Sequence, residues 1–189
     1  VGTLTVTTDP SKPCMTVDPV KSTQPIFLEN WNKLTLGREE RNMRRILIHE
    51  EACIGCGLCT VHCTVQHSQS KDIVKAYKRE HPRPLSRVYV DIARPISSAI
   101  QCRHCDDPPC VSACLSGALQ IHEEQNMVHH DSEKCMGCWT CIMVCPYGAV
   151  MMDTYNKVVA KCDLCHDLET PSCVANCPNA ALAVIEVQP

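Results

Sequence analysis

The sequence has few aromatic side chains, no long apolar run and none of the common catalytic signatures. One Phe, two Trp and four Tyr occur in 189 residues, so large side chains that could fill a core are scarce. No stretch of about eighteen apolar residues is present, so no membrane span is predicted. Fingerprints for phosphate, nicotinamide or flavin binding and a Ser-His-Asp arrangement are also missing. We therefore predict that the chain has no catalytic residues of its own.

The N-terminal residues do not resemble an export signal. Residues 1–11 are rich in Thr and have neither the basic nor the apolar segment of a secretory signal. Arg44 and Arg45 precede a short apolar run that is typical of a strand and not of a twin-arginine signal. We expect a cytoplasmic, reducing location, where cysteines stay free.

Cysteine, in contrast, is abundant, and sixteen of the 17 cysteines form four quartets that each end in an x3-C step. The quartets are Cys53, Cys56, Cys59, Cys63; then Cys102, Cys105, Cys110, Cys114; then Cys135, Cys138, Cys141, Cys145; and last Cys162, Cys165, Cys173, Cys177. The third, followed by Pro146, has the C-x2-C-x2-C-x3-C-P spacing in which three cysteines bind one iron-sulfur cluster and the fourth binds a different one. This fourfold repeat defines the predicted architecture.

Two other uses of cysteine fit the pattern poorly. A disulfide framework is typical of shorter secreted chains, and it would leave an odd cysteine and force tightly spaced residues to find distant partners. Zinc sites pair one C-x2-C with a second pair well downstream, whereas here three cysteines come together and the fourth is offset. Iron-sulfur ligation is the interpretation that uses every quartet.

The spacing between quartets predicts which of them share clusters. Only 20 residues separate the second quartet from the third, as in the two halves of a two-cluster ferredoxin, which leaves the first and fourth to pair around them. Exchange of the last cysteine within each pair then defines four [4Fe-4S] clusters. Their predicted ligands are Cys53, Cys56, Cys59 with Cys177; Cys162, Cys165, Cys173 with Cys63; Cys102, Cys105, Cys110 with Cys145; and Cys135, Cys138, Cys141 with Cys114.

The predicted fold class is α+β, with two bacterial-ferredoxin-like modules, one inserted in the other, that bind two [4Fe-4S] clusters each. Residues 45–67 with 156–189 form one module, 92–155 form the other, 68–91 are a linker loop, and 1–44 are an irregular N-terminal arm. Alternating and turn-bounded segments predict strands at 45–49, 87–93, 118–122, 127–131, 149–153, 157–161 and 181–187. A helix is predicted over 60–67, where it would deliver Cys63.

The arm holds two features without an assigned role. Cys14 is predicted to be a free thiol, with a ligand role as the alternative. The apolar residues of the arm between Ile26 and Leu36, among them Trp31, could cover the ferredoxin body or anchor in a larger subunit. Both interpretations stay open.

Charge and the residues beside the ligands complete the pattern. The formal net charge of -3 counts thiols as neutral, and each oxidised four-thiolate cubane adds roughly two negative charges. No nucleic-acid partner is expected for so acidic a molecule. His62, His104 and His166 lie beside or between cysteines but are not needed as ligands, since each quartet is complete. Lys134 and Lys161 precede the first cysteines of their quartets; each is either solvated or able to raise a cluster potential.

The segments CIGCGLCTVHC, CRHCDDPPC, CMGCWTCIMVCPYGAV and CDLC, over residues 45–187, resemble the four-cluster electron-transfer subunits of anaerobic oxidoreductases. That family includes the iron-sulfur subunits of dimethyl sulfoxide reductase and formate dehydrogenase-type enzymes and the carbon monoxide dehydrogenase-associated ferredoxin. The resemblance implies four [4Fe-4S] clusters that relay single electrons between a large catalytic subunit and an external donor or acceptor protein. The large subunit would be contacted in part by the N-terminal arm.

The segment SGAL at Ser116–Leu119 and the GCW of the third quartet resemble partners of tungsten enzymes, such as the aldehyde oxidoreductases and the ATP-independent benzoyl-CoA reductase. A tungsten or molybdenum pterin enzyme is therefore the expected partner. A carrier associated with nickel carbon monoxide dehydrogenase and a freely diffusing polyferredoxin are the alternatives.

Overall fold

The computed structural model describes residues 43–93, 95–122 and 125–187. These ranges form eight short strands, five short helices and a 3-10 turn, Glu50–Ala52. The strands are β1 Met43–Ile48, β2 Val88–Ala93, β3 Ile96–Gln101, β4 Leu119–His122, β5 Met127–His130, β6 Val150–Asp153, β7 Val158–Lys161 and β8 Leu182–Val187. The helices are α1 Leu58–Gln66, α2 Ile73–Lys78, α3 Pro109–Ser112, α4 Thr140–Val144 and α5 Ser172–Ala175.

The strands pair into four separate antiparallel sheets of two strands each. Three are hairpins of neighbours in sequence: β2 with β3, β4 with β5, and β6 with β7. The fourth joins the first and last strands, so that Met43 lies opposite Val187 and Ile48 opposite Leu182. His49 extends this pairing, because its N-H donates to the carbonyl of Ala181 at 2.8 Å. The two ends of the described chain are thereby held side by side.

The first core lies among β1, β8, α1, α5 and the β2-β3 hairpin. Its buried residues are Cys59, Cys63, Val88, Ala99, Cys173 and Leu182. Three of these six are cysteines, which means that much of the interior consists of small sulfur side chains and not of large hydrocarbon ones. Helices α1 and α5 pack on each other in this region and supply those cysteines.

The second core lies between the β4-β5 and β6-β7 hairpins and the helices α3 and α4. Its buried residues are Cys110, Leu119, Val128, Cys141, Val150 and Val159. Each hairpin contributes two of the four aliphatic side chains, and each helix contributes one of the two cysteines. A smaller cluster of Met127, Cys162 and Leu164 also packs against Ile46 and Cys102.

The predicted α+β class of short strands and few helices is confirmed. Every predicted strand is present with bounds that differ by no more than two residues at either end, and the predicted helix over 60–67 is α1. The elements that were not predicted include β3 and α2, the latter inside the segment predicted as a linker loop. Asp72 caps α2 by accepting a hydrogen bond from the N-H of Lys75 at 2.9 Å, a common helix start.

The predicted N-terminal arm lies outside the described residues, except for Met43 and Arg44, which begin β1. Cys14 and the apolar residues between Ile26 and Leu36 are among those not described. None of the helices within the described ranges has the length and apolar character that a membrane crossing requires.

Removal of iron should abolish the fold. The cores contain small cysteines where other proteins of this size have aromatic side chains, so ligand binding supplies much of the folding free energy. We expect the chain, stripped of iron by a chelator under reducing conditions, to lose most of its native far-UV circular dichroism and its resistance to proteolysis. A sample reduced without chelator is the control. Retention of native circular dichroism after complete iron removal would contradict this account.

Candidate metal centres

All sixteen cysteines in the described part of the chain are free thiols, and two cavities are each lined by four of them. Cys53, Cys56, Cys59 and Cys177 line one cavity together with the apolar side chains of Ile48, Ala52, Val90 and Leu182. Cys59 is the second residue of α1, and Cys177 follows the end of α5. A second cavity is lined by Cys114, Cys135, Cys138 and Cys141, beside Leu119 and Val159.

The remaining eight cysteines also have close cysteine neighbours, as the charges that act on some of their thiols indicate. Burial raises the pKa of Cys110 to about 11, and its neighbours Cys102, Cys145 and Cys105 add to the shift. Burial likewise raises the pKa of Cys173 to about 12, with Cys63, Cys165 and Cys59 of the first cavity adding to it. Cys162 lies beside Cys173, and its pKa is raised for the same two reasons.

These raised pKa values indicate that the thiols need a metal ion in order to be deprotonated. At neutral pH a buried thiol with a pKa of 11 or 12 stays protonated, because its apolar surroundings disfavour the thiolate. A coordinated metal ion reverses that preference and removes the proton outright. Sets of four soft sulfur donors in apolar cavities suit zinc or iron-sulfur clusters, and an exchanged fourth cysteine is the arrangement that iron-sulfur clusters use. The residues present therefore fit [4Fe-4S] clusters.

Backbone N-H groups donate to several of the sulfur atoms. Arg87 N lies 3.1 Å from Cys63 Sγ, Leu119 N lies 3.4 Å from Cys114 Sγ, and Leu164 N lies 3.4 Å from Cys162 Sγ. Such bonds stabilise negative charge on sulfur and so make a cluster easier to reduce. Arg87 belongs to the segment predicted as a linker, where no cysteine indicated a role in the site.

Asp163 organises a network of charges around Cys63. Its carboxylate lies 3.2 Å from His67 Nε2 and pairs with the Arg87 guanidinium. His67 Nδ1 lies 3.7 Å from Cys63 Sγ. Burial raises the pKa of Asp163, but the His67 hydrogen bond and the Arg87 charge outweigh it and hold that pKa well below its usual range. The ligand atoms of His67, Asp163 and Cys165 lie within 4.8 Å of one another, so the network directly borders the cysteine set that contains Cys165.

The cluster loops turn through left-handed backbone at equivalent positions. Gly57 (φ +73°) caps α1, and Trp139 (φ +63°) caps α4 in the same place. Gly137, one residue before Cys138, has φ +67°, and a Cβ there would lie 2.4 Å from the carbonyl oxygen of Lys157. A glycine is required there because the loop passes against the β6-β7 turn. Trp139 itself packs against the second core.

The histidines and lysines beside the cysteines differ in their surroundings. His166 pairs with Asp167 at the surface, whereas His104 is 1% exposed and its Nδ1 accepts a hydrogen bond from Val128 N at 3.1 Å. The Lys134 side chain is 56% exposed and pairs with Asp131 at 3.0 Å. Lys161 is 3% exposed. Of the two lysines weighed from the sequence, Lys134 is at the surface and Lys161 is buried, which the sequence did not distinguish.

Sets of cysteines on a small α+β framework of hairpins and short helices define a ferredoxin-type iron-sulfur protein. The 4Fe-4S dicluster domain family matches residues 96–187. Electron transport protein HydN of Escherichia coli strain K12 is 35% identical over 161 residues, covering 76% of this chain and 89% of HydN. Thiosulfate reductase electron transfer subunit PhsB of Salmonella typhi is 32% identical over 153 residues, covering 72% of this chain and 73% of PhsB.

The chain belongs to the family of iron-sulfur electron-transfer proteins that contain the 4Fe-4S dicluster domain. Among solved structures it is similar to a chain of the active site complex BamBC of benzoyl coenzyme A reductase as isolated, with 22% identity, a TM-score of 0.47, and coverage of 80% of this chain and 81% of that one. The predicted resemblance to iron-sulfur electron-transfer subunits is confirmed at the level of the family: the cofactors are [4Fe-4S] clusters, and the role is electron transfer.

Gly137→Ala should destabilise the folded, iron-containing protein more than Gly57→Ala. Both substitutions place a Cβ at positive φ, which costs roughly 1–2 kcal/mol, but a Cβ at position 57 meets nothing within 4 Å. Only the alanine at position 137 collides with the Lys157 carbonyl. We expect the Gly137 variant to contain less iron after anaerobic purification and to lose its visible absorbance at a lower temperature. Equal iron content and thermal stability in the two variants would show that this contact is unimportant.

Proposed function

We propose that this chain is the electron-transfer subunit of an oxidoreductase complex and that it relays single electrons through four [4Fe-4S] clusters. The observation that carries the proposal is a pair of cavities that are each lined by four cysteines, with eight further free cysteines in the described part of the chain. A protein that needed only one pair of clusters would have no use for the other eight cysteines. Four clusters in series suit transfer between a buried site in a large catalytic subunit and an external donor or acceptor.

The proposed ligand assignment follows the exchange of last cysteines between paired quartets. Contacts between α1 and α5, and between α3 and α4, support it because they bring each exchanged cysteine to the partner quartet. The proposed clusters are cluster A, Cys53, Cys56, Cys59 and Cys177; cluster B, Cys102, Cys105, Cys110 and Cys145; cluster C, Cys114, Cys135, Cys138 and Cys141; and cluster D, Cys63, Cys162, Cys165 and Cys173.

We further propose that clusters A and D belong to one module, 45–67 with 156–189, and that clusters B and C belong to a second module, 92–155, inserted in it. The pairing of β1 with β8 supports this nesting, because it closes the outer segments on each other. The β2-β3 hairpin crosses the predicted start of the inner module at residue 92. Its residues Val88 and Ala99 pack in the first core, which favours the outer module for the whole hairpin.

The proposed partner is a large catalytic subunit that contains a tungsten or molybdenum pterin, contacted in part by the N-terminal arm. Its class rests on the resemblance of the cluster segments, and one relative is named as the electron transfer subunit of a thiosulfate reductase. The cytoplasmic location stays a prediction.

Metal analysis of the complex tests the proposal. The chain is purified anaerobically from its own cells, and metals are measured in the chain and in any subunit retained with it. We expect about 16 iron atoms per chain, four for each of four cubanes, and tungsten or molybdenum in the retained subunit. Nickel in that subunit would move the chain to carbon monoxide chemistry. Iron alone with no retained subunit would favour a diffusing polyferredoxin.

Cys177→Ala and Cys173→Ala should damage different clusters. Although both cysteines belong to the fourth quartet, the proposed assignment places Cys177 in cluster A and Cys173 in cluster D. Each variant should therefore lose or alter one cluster, and the two altered electron paramagnetic resonance signals should differ. Loss of the same signal in both variants would disprove the exchange of last cysteines.

A further inference from the structure

Lys161 is a buried cation without a carboxylate partner. It ends β7 directly before Cys162, and its side chain is 3% exposed. Its Nζ donates hydrogen bonds to the carbonyl oxygens of Val128 at 2.5 Å and Cys162 at 2.8 Å. Within the described ranges, none of the ion pairs includes it. A buried ammonium without an ion-pair partner is destabilising, and the carboxylate of Asp163, whose charge reaches Cys162 and His104, is paired with His67 and Arg87 instead.

His104 is held by the backbone of the same residue, Val128. Val128 uses its N-H to donate to His104 Nδ1 at 3.1 Å and its carbonyl to accept from Lys161. Because Nδ1 accepts, the neutral ring carries its proton on Nε2, and that buried atom has no hydrogen-bond partner among the described residues. Two basic side chains from the second and fourth quartet segments thus converge on Val128: His104 Nε2 lacks a hydrogen-bond acceptor, and Lys161 bonds only to neutral carbonyls.

This junction lies where clusters B and D approach each other. Cys102 and Cys162 pack together with Met127, the neighbour of Val128, in the third cluster of buried residues. The Lys161 charge acts on cysteines of both proposed clusters. Burial raises the pKa of Cys110 to about 11, and Lys161 opposes that shift. It opposes the burial shift in the pKa of Cys162 in the same way. Cys110 belongs to proposed cluster B and Cys162 to proposed cluster D.

We infer that Lys161 is a counter-charge shared by clusters B and D, held in place by Val128 and His104. The inference rests on the proposed assignment of the ligands. When an electron crosses the junction, one cluster is oxidised by one electron and the other is reduced by the same electron, so the total negative charge around the ammonium does not change. One cation therefore favours reduction of both clusters, and an electron keeps its stabilisation by the ammonium when it crosses between the modules.

The test is a potentiometric titration of the full chain with Lys161→Met, which removes the charge and keeps an unbranched side chain. Lys134→Met is the matched control, because Lys134 also precedes the first cysteine of a quartet but is exposed and paired with Asp131. We expect reduction to become at least tenfold less favourable at two of the four clusters in the Lys161 variant, about 59 mV for a one-electron couple. The Lys134 variant should match the wild type.

Lys161→Gln separates charge from hydrogen bonding. Its amide can still donate to the Val128 carbonyl but carries no charge, so the potentials should stay lowered. Wild-type potentials in the Gln variant would show that Lys161 only holds the peptide in place and would overturn the inference. Should the Met and Gln variants both lose iron, Lys161→Arg decides: recovery of iron and of wild-type potentials supports a charge, and failure to recover overturns it.

Wild-type measurements keep the two proposals apart. Four one-electron steps with about 16 iron atoms per chain support the proposed function whatever the Lys161 variants do. With those four steps present, a shift of no cluster, of one, or of all four in the Met variant overturns the shared counter-charge alone. Fewer than four steps in the wild type would remove the cluster assignment, and the inference with it.

Discussion

The structure depends on the bond between cysteine sulfur and iron, because a thiolate is too costly to bury without it. Burial alone raises the pKa of Cys110 and Cys173 to about 11 and about 12, far above the pH at which the protein must bind its clusters. Iron ligation removes those protons and converts the penalty into binding free energy. The same sulfur atoms occupy the interior positions that aliphatic or aromatic side chains occupy elsewhere. Cofactor binding and core formation are thus one process in this chain.

The proposed exchange of last cysteines accounts for the short helices and for their contacts in pairs. Under that assignment, each cysteine-bearing helix presents a cysteine near its start to the cluster of its own quartet and a cysteine near or beyond its end to the partner quartet. Helix α1 has nine residues, and the other three cysteine-bearing helices, α3, α4 and α5, have four or five. About one helical turn is enough to place the second cysteine at the partner quartet under this assignment. The stability of these helices comes from ligation and packing, because isolated helices of this length are not stable in water.

Much of the fold was predictable, because cysteine spacing and turn-bounded apolar runs are local signals. The strands on either side of Asn156 and those that end at His122 and begin at Met127 were predicted within one or two residues. Strand β3 was missed because Ile96–Gln101 has two serines and no strong alternation, and it forms by pairing with β2. Helix α2 was missed because its six residues lie among lysines and prolines that indicate a loop.

The cysteines of the site were found from spacing, whereas their surroundings were not. Nothing in the sequence distinguishes the buried Lys161 from the exposed Lys134, since both precede a quartet and only tertiary packing places one of them on Val128. Arg87 and Asp163 were missed for the same reason: they meet His67 and Cys63 from segments distant in sequence. A metal ligand is recognisable from its neighbours in the chain, but a charge that acts on it through space is not.

Cys56 and Cys138 differ from the other described cysteines in being exposed, and the neighbouring Ile54 and Met136 are 64% and 63% exposed. Under the proposed assignment these two residues belong to clusters A and C, the two that do not border Lys161. Surfaces through which an electron can leave quickly also admit dioxygen, which oxidises cubanes. Dioxygen would therefore oxidise clusters A and C first. Electron transfer to and from the partners would then fail while clusters B and D were still intact.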